Sequence, residues 1–389
     1  MKKFFLIAAS AMMVLASCTK VVINYPEDAQ PQEIAMFAVN KSATKAPVAN
    51  DGTFPTDYNM MVAAYLAAGA QSNGDYFDGT LFTKVTKGTK YLWTGSKYWP
   101  VSESTINFLA VAQPPHEDTY TGEVSSVVFG EGETTKSNFT KQAVVKFENN
   151  QTTGTNYNQF DLMYAAGQGT YEGQGEYTPV NMVFKHALSW IKFTVATNVQ
   201  NEEDENTYSM TVNSIRLSGA SYGGTMTLAL GKETNEDNDK VDIEIEDANE
   251  TSDYTCNWSD LSEGVVDVYV PGAQGNSKAA AVGGLAAYEA TAQPFGNGLL
   301  VVPVNYSGVE DGDRPTITIN YTMNQGNGDY TFEKTIEIPQ INWEANKIYT
   351  YALTITLQKI EIEPEVGVWL THDNDEQAGN NDNIPVDAK

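Results

Sequence analysis

The chain has 389 residues, of which 41% are hydrophobic and 11% aromatic, and it carries a formal net charge of −27. This length and apolar content allow one large core or two smaller ones, and they exclude a disordered chain. Neutralising phosphates needs clustered lysine and arginine. The acidic balance therefore excludes a nucleic-acid partner and disfavours electrostatic binding to anionic lipid.

The first residues predict export. A basic start at Lys2 and Lys3 precedes an apolar run over residues 4–16, which is too short to span a bilayer. Residues 1–17 are therefore predicted to be a signal peptide. Leu15, Ala16 and Ser17 stand directly before Cys18 and resemble a bacterial lipobox. Cys18 is then expected to carry a lipid and to anchor the chain to a membrane; the alternative is an ordinary signal peptide with an incidental cysteine.

Residues 18–45 form an N-terminal segment that contains one strand candidate, residues 33–39. Either its even-numbered or its odd-numbered positions are expected to pack into the first domain, because side chains alternate along a strand. Its candidate anchoring side chains are Ile34, Met36, Phe37 and Val39.

The residues after this strand are predicted to be an exposed linker. They have no hydrophobic periodicity, contain Lys41 and Lys45, and end in proline at position 47. Exposed linkers of this composition are where proteases cut most readily. Cleavage is expected between Lys45 and Ala46, or after Lys41.

Short strand patterns then recur between turns rich in glycine, asparagine, aspartate and proline, which is typical of a β-sandwich and not of alternating strands and helices. Among them are residues 241–245, residues 316–323 and a long pattern over residues 347–362. The glycine-rich residues 167–175 are predicted to be a linker, and the alanine-rich residues 277–292 a short turn or helix. The predicted domains are residues 46–176 and 177–370, followed by a polar tail over residues 371–389.

The stretch over residues 180–197 is expected to organise the second domain. After a pause at residues 185–190, Ile191, Phe193 and Val195 alternate with Lys192 and Thr194. This period of two predicts a strand with one buried and one solvated face.

We find no catalytic pattern in the sequence. The three histidines have no metal-site spacing, and none has an evident acidic partner in sequence. Carboxylate pairs are so numerous that a glycosidase-like pair can be neither chosen nor dismissed at this point. Trp93 and Trp99 are expected to be core residues and not a sugar platform. We expect no enzyme activity, no metal and no cofactor.

Several short motifs, weak singly, resemble in their order the fimbrillin family of the Bacteroidetes, the subunits of type V pili. They are the lipobox cysteine Cys18, the linker over residues 43–47, the residues 98–100 (YWP), the residues 161–163 (DLM), the residues 184–188 (FKHAL) and the residues 343–349 (WEANKIY).

The resemblance implies an all-β chain of two tandem transthyretin-like β-sandwich domains. It also implies that a protease removes the N-terminal strand and that a strand of another subunit replaces it, which is β-augmentation. The partners would be other pilus subunits, with a host glycan or protein as a further ligand, at the outer membrane. The family cleaves after an arginine, whereas no arginine precedes Arg216 here.

Two functions from different classes therefore stay open. The first is a structural and adhesive pilus subunit; the second is a monomeric surface lipoprotein that binds carbohydrate or host protein, or an anchor subunit that is never cleaved. A subunit that donates a strand needs an alternating apolar segment beyond its folded domain. The candidate donor residues are Val366, Val368 and Leu370, although the tail beyond them is polar.

Overall fold

The computed structural model describes residues 32–39, 54–66, 75–88, 90–100, 104–114, 122–131, 141–149, 159–171, 179–198, 209–230, 254–267, 282–286, 288–324, 328–356 and 360–368. Every regular element in these residues is a β-strand, so the predicted all-β class is confirmed. The strands lie in three sheets around two hydrophobic cores. The transthyretin-like topology and the division into two domains remain predictions.

The first sheet has eight strands in the order β10-β8-β5-β2-β3-β4-β1-β9. They are β1 (Glu33–Val39), β2 (Asn59–Leu66), β3 (Asp75–Lys87), β4 (Lys90–Tyr98), β5 (Ser104–Gln113), β8 (Met163–Tyr171), β9 (Val180–Val183) and β10 (Lys185–His186).

This first sheet closes on itself. The two strands at the ends of its order, β9 and β10, are separated in the chain by Phe184 alone. One strand-like stretch thus pairs with β1 through its first half and with β8 through its second half. β1 therefore has a paired neighbour on each side, and β9 and β10 bring the two ends of the sheet together.

The second sheet has the order β15-β11-β18-β19 and organises the other core. It consists of β11 (Ser189–Asn198), β15 (Tyr288–Val301), β18 (Lys347–Thr356) and β19 (Ile360–Val368). The predicted alternation along β11 is confirmed, since Ile191, Phe193 and Val195 are buried while Lys192 and Thr194 are half-buried. The ammonium group of Lys192 lies 4.2 Å from the centre of the Trp190 ring.

The third sheet connects the two cores through one long strand. Its members are β6 (Gly122–Glu131), β7 (Lys141–Asn149), β12 (Ser209–Leu230), β13 (Tyr254–Asp267), β14 (Val282–Ala286), β16 (Thr316–Asn324) and β17 (Asp329–Glu337). Met210 and Ile215 of β12 lie in the second core, whereas Met226 and Leu228 lie in the first. Between these two parts of β12, a Cβ at Gly223 or Gly224 would meet backbone atoms of β7 or β13, so glycine permits this close approach of the strands.

Three predictions about local structure are wrong. Residues 167–171, expected in a linker, belong to β8, where Gly169 packs against Trp99 and Val180. Residues 282–286 and 288–292, expected to be a turn or helix, are strand. The long strand expected over residues 347–362 is divided into β18 and β19, which pair antiparallel. A further predicted strand, residues 241–245, lies outside the described residues.

The predicted domain limits are untested, but the pairing shows where the chain changes sheet. β9 and β10 belong to the first sheet, and β11 begins the second at Ser189. Residues 180–188 therefore pack with the first core and not with the second.

Candidate functional site

The candidate site is the position of β1 in the closed sheet, which we call the β1 slot and define as the space between β4 and β9. Glu33, Ala35 and Met36 pair antiparallel with Tyr98, Thr94 and Trp93 of β4. From Met36 to Val39 the other edge of β1 pairs parallel with β9, in the register Met36 to Val180 and Val39 to Val183. β1 is therefore a component of the sheet with neighbours on both sides.

The burial of the β1 side chains shows which face of the strand packs against the first core. Ile34 and Met36 have no exposed surface and Ala38 is buried, and all three belong to the first core. Ala35 is buried as well, whereas Phe37 is 39% exposed on the outer face. The even-numbered positions are thus the ones that point into the core; for Val39 only the backbone is described.

Two hydrogen bonds fix the start of β1. The backbone N–H of Trp99 donates to the carbonyl of Gln32 over 2.9 Å, and the backbone N–H of Ser96 donates to Oε1 of Glu33 over 3.2 Å. Both donors lie at the end of β4 or directly after it. β4 is therefore the main partner of the N-terminal half of β1.

The described residues that follow β1 begin at Phe54, which belongs to an aromatic cluster. Phe54 and Tyr58 are buried, and Phe54 packs edge-on against Trp93 and at 4.3 Å against the ring of Phe184. The indole N–H of Trp93 donates to the carbonyl of Tyr58 over 2.8 Å. This cluster holds the chain before β2 independently of the hydrogen bonds of β1.

A buried acid–base pair lies beside this cluster, and sequence reasoning missed it. Nδ1 of His186 lies 2.7 Å from Oδ2 of Asp161, although the two residues are 25 positions apart. The sequence shows no acidic partner for His186, and the fold brings Asp161 to it. Burial raises the pKa of the Asp161 carboxyl, and His186 offsets only part of this effect.

The Asp161–His186 pair is buried and is connected to the aromatic cluster. The backbone N–H of Asp161 donates to the hydroxyl of Tyr58 over 3.1 Å, so the loop before β8 is tied to the aromatic cluster. Asp161 and His186 are both buried, with exposures of 1% and 0%. A substrate has no access to such a pair, and its place between β8 and β10 fits a role in closing the sheet.

Gln159 ties the same loop to the second sheet. Its amide nitrogen donates to the carbonyl of Gly298 over 3.0 Å, and its amide oxygen accepts from the N–H of Leu300 over 2.6 Å. The side chain thus pairs with β15 as a strand backbone would. Residues 159–161 link both cores, which no pattern in the sequence indicates.

The candidate donor strand β19 lies at an edge of the second sheet. It forms an unbroken antiparallel register with β18, from Ile360 opposite Ile355 to Val368 opposite Lys347. Val366 packs against the second core, and the backbone of Val368 continues the strand. Leu370 lies outside the described residues.

Other predicted site residues also lie outside the described residues, namely Cys18, Lys41, Lys45 and Ala46. Cys256, the other cysteine, is half-buried, and burial raises the pKa of its thiol to about 12. The described residues contain no group of three or more histidine, cysteine or acidic side chains that could hold a metal ion. They also contain no helix that is long and apolar enough to cross a membrane.

The chain belongs to the fimbrillin-like family, whose sequence model matches it over residues 44–369. This match begins after β1, in the linker, and covers the motifs around Trp99 and His186 and the strands from β2 to β19. No curated protein sequence matches the chain at a significant level.

Three solved structures are similar to the chain. A fimbrial protein from Bacteroides vulgatus is 15% identical, with 80% of this chain and 93% of that one aligned at a TM-score of 0.44. A protein of Bacteroides uniformis assigned to cell adhesion is 14% identical, with 89% and 100% aligned at a TM-score of 0.43. A fimbrial assembly protein from Parabacteroides distasonis is 9% identical, with 87% and 96% aligned at a TM-score of 0.35.

Proposed function

We propose that the chain is a structural and adhesive subunit of a cell-surface pilus, without enzyme activity. It is exported as a lipoprotein through Cys18, held at the outer membrane by its lipid, and assembled by strand exchange after proteolysis. Membership in the fimbrillin-like family supports the general class. The placement of β1 supports the mechanism.

The observation that carries the proposal is that an N-terminal strand fills an interior position of the first sheet. Without β1, the backbones of β4 and β9 would lose a neighbour on one edge. Unpaired strand edges present rows of N–H and C=O groups that readily accept another strand. The pockets left by Ile34, Met36 and Ala38 would select a strand with apolar residues at alternate positions.

The free energies of side-chain burial and of association indicate why the covalent connection between β1 and the rest of the chain matters. Burying Ile34 and Met36 contributes about 1.5–3 kcal/mol for each side chain. A separate peptide loses about 4–15 kcal/mol in freedom of motion when it associates. Once cut from the body, β1 would thus be held weakly enough to leave, and a better-fitting strand would replace it.

The proposed cut lies between Lys45 and Ala46, or after Lys41, and the aromatic cluster explains how the body would tolerate it. Phe54 and Tyr58 hold the chain a few residues beyond the cut through contacts that do not involve β1. The new N-terminus would therefore stay attached at β2 when β1 departs.

The proposed donor is the C-terminal strand with Val366, Val368 and Leu370. As an edge strand, β19 has a paired neighbour only in β18 among the described strands. Ile360, Ile362 and Val366 lie on its inner face and alternate with glutamates on the outer face. This is the pattern that the pockets of the β1 slot require. To enter the slot, β19 would have to separate from β18 and from its own second core.

Limited trypsin digestion tests the proposal, because trypsin cuts after lysine and stands in for the natural protease. Dilute trypsin should cut first at Lys41 or Lys45, leave a resistant body that begins near Ala46, and convert monomers to higher oligomers. Mass spectrometry locates the cut, and light scattering from a sizing column follows the oligomers. The Lys41→Gln and Lys45→Gln double variant should lose both events.

A second candidate is supported by one observation, the lack of any arginine before Arg216. If the linker is never cut, the chain would be an anchor subunit, or a monomeric surface lipoprotein that binds carbohydrate or host protein. A first cut inside the body, or a cut chain that stays monomeric with uncut partner present, would favour this candidate over strand exchange.

A further inference from the structure

The hairpin of β3 and β4 has a charge opposite to that of the molecule. Residues 79–102 contain four lysines and no acidic residue, in a chain whose formal net charge is −27. Three of these lysines, Lys84, Lys87 and Lys90, stand within seven positions at the end of the hairpin. We define the basic arm as residues 83–91.

The basic arm projects beyond the first core. Phe82, Leu92 and Trp93, which flank it, are buried. Within it, all three lysines and Tyr91 are exposed, and Val85 is half-buried. Both faces of the hairpin therefore meet solvent, as expected of an arm that extends past the sheet and does not cover it.

The arrangement of the lysines opposes folding of the arm. Lys87 lies directly opposite Lys90 in the register, and like charges at facing positions destabilise a strand pair. Lys84 is on the other face, with its ammonium group 5.0 Å from the centre of the Tyr91 ring. The arm thus places three exposed positive charges at the end of one hairpin.

The chain itself carries a matching acidic surface on β19. Glu361, Glu363 and Glu365 are exposed on the outer face of this strand, and we call them the glutamate stripe. Residues two apart in a strand are separated by about 7 Å, so the stripe is a regular row of carboxylates along an edge strand. Two copies of so acidic a chain repel each other, and an approach of arm to stripe is the orientation in which opposite charges meet.

We propose that the basic arm of one copy docks on the glutamate stripe of a second copy and guides β19 to the β1 slot. The inference rests on the proposed function, because a second copy is the partner. β4 supplies both surfaces: Lys90 and Tyr91 belong to the arm, and Trp93, Thr94 and Tyr98 pair with β1. A β19 strand held by the arm would therefore lie at the end of the slot it is to enter.

Zero-length crosslinking tests the docking before any strand exchange. Unlabelled and nitrogen-15-labelled full chains, uncut, are mixed and treated with a carbodiimide, which joins only lysines and carboxylates in direct contact. Mass spectrometry should find Lys87 or Lys90 joined to Glu363 or Glu365 in mixed-isotope pairs. The yield should fall severalfold from 50 to 500 mM salt, because exposed charges are screened.

Lysine and glutamate variants test whether the crosslinks depend on the charges of the basic arm and the glutamate stripe. Lys87→Gln with Lys90→Gln should lower the mixed-isotope yield at least about fivefold, since charges on both sides set the encounter rate. Lys146→Gln with Lys334→Gln removes two exposed lysines elsewhere and should leave the yield within about twofold of the parent. A Lys87→Glu, Lys90→Glu copy mixed with a Glu363→Lys, Glu365→Lys copy should restore the crosslinks with the charges reversed.

The outcomes separate this inference from strand exchange. The docking would be overturned if the arm lysines were crosslinked only within one chain or only to carboxylates outside the glutamate stripe. It would also be overturned if the charge-reversed pair of variants restored no crosslinks. A third contrary outcome is binding to dextran sulfate that depends on the arm lysines while no mixed-isotope crosslinks form. The arm would then be a binding site for polyanions. If docking fails but trypsin still triggers oligomers, strand exchange stands; if crosslinks form but cut chains stay monomeric, strand exchange fails instead.

Discussion

The first and second sheets differ in how their end strands are placed. The two ends of the first sheet meet at Phe184, and β1 fills an interior position between β4 and β9. The second ends at β19, where the described chain supplies no outer neighbour. A free edge invites pairing with other chains, and native proteins protect such edges with charge and proline.

The protection of the second sheet is visible in β19. Its outer face carries the glutamate stripe, and Pro364 stands in the middle of the strand opposite Tyr351. The edge strand β17 of the third sheet is likewise exposed over most of its length and carries charged residues. These edges are protected by composition, whereas in the first sheet β9 and β10 bring the two ends together.

The largest expected effect concerns the seating of β1 in the closed sheet. Met36→Asp would place a charge without a partner in the first core and should lower the free energy of unfolding by about 4–5 kcal/mol. Phe37→Asp adds the same charge on the exposed face and should cost less than about 1 kcal/mol. Urea unfolding followed by tryptophan fluorescence measures both.

Similar losses from these two neighbouring substitutions would break the comparison. β1 would then be a loosely attached strand, and the first sheet would behave as an open one. The difference between the variants, more than either value, shows whether the sheet depends on β1 for closure.

A smaller effect should distinguish the tight interior of the first sheet from the edge of the second. A Cβ at Gly169 would meet Trp99 at 2.7 Å and Val180 at 2.9 Å, so Gly169→Ala should cost about 1–3 kcal/mol. A Cβ at Gly367 on β19 meets nothing within 4 Å, so Gly367→Ala should change stability by less than about 0.5 kcal/mol. Thermal unfolding of both variants gives the comparison, and a costly Gly367→Ala would show that something packs over β19.

The sequence predicts the strands well where hydrophobic alternation is strong, as in β1, β11 and β16. It fails where glycine is involved, because Gly167 and Gly169 have the composition of a linker but serve a close approach between strands. Composition cannot distinguish a glycine chosen for flexibility from one chosen for lack of a side chain. The alanine-rich residues 282–286 and 288–292 are strand although alanine favours helices, because pairing with distant strands outweighs local preference.

The candidate site was predictable only in part. The strand character of residues 33–39 is local and can be read from alternation. Its partners β4 and β9, the Asp161–His186 pair and the Gln159 bridge depend on contacts between residues far apart in the chain. No single sequence encodes those pairings in a local pattern.

The smallest expected effect concerns charge at the end of β17 and depends on pH. Burial alone would raise the pKa of Glu337, but the backbone N–H groups of Arg314 and Gly312 donate to its carboxylate, and the guanidinium of Arg314 lies 2.5 Å away. These interactions outweigh burial and hold the pKa of Glu337 below its usual range. A carboxyl with a lowered pKa in the folded state stabilises the fold above its unfolded pKa, and this contribution is lost as the pH falls through the folded value.

Glu337→Gln should therefore flatten the loss of stability between about pH 5 and pH 2, while reducing stability near pH 7. Glu333→Gln, on the exposed part of the same strand, is the matched control for the loss of one negative charge from β17. Urea midpoints measured at successive pH values test both variants. An unchanged acid profile in the Glu337 variant would show that the loop over residues 310–314 is held by other contacts. The edge at β17 would then depend on its exposed charges alone, as β19 does.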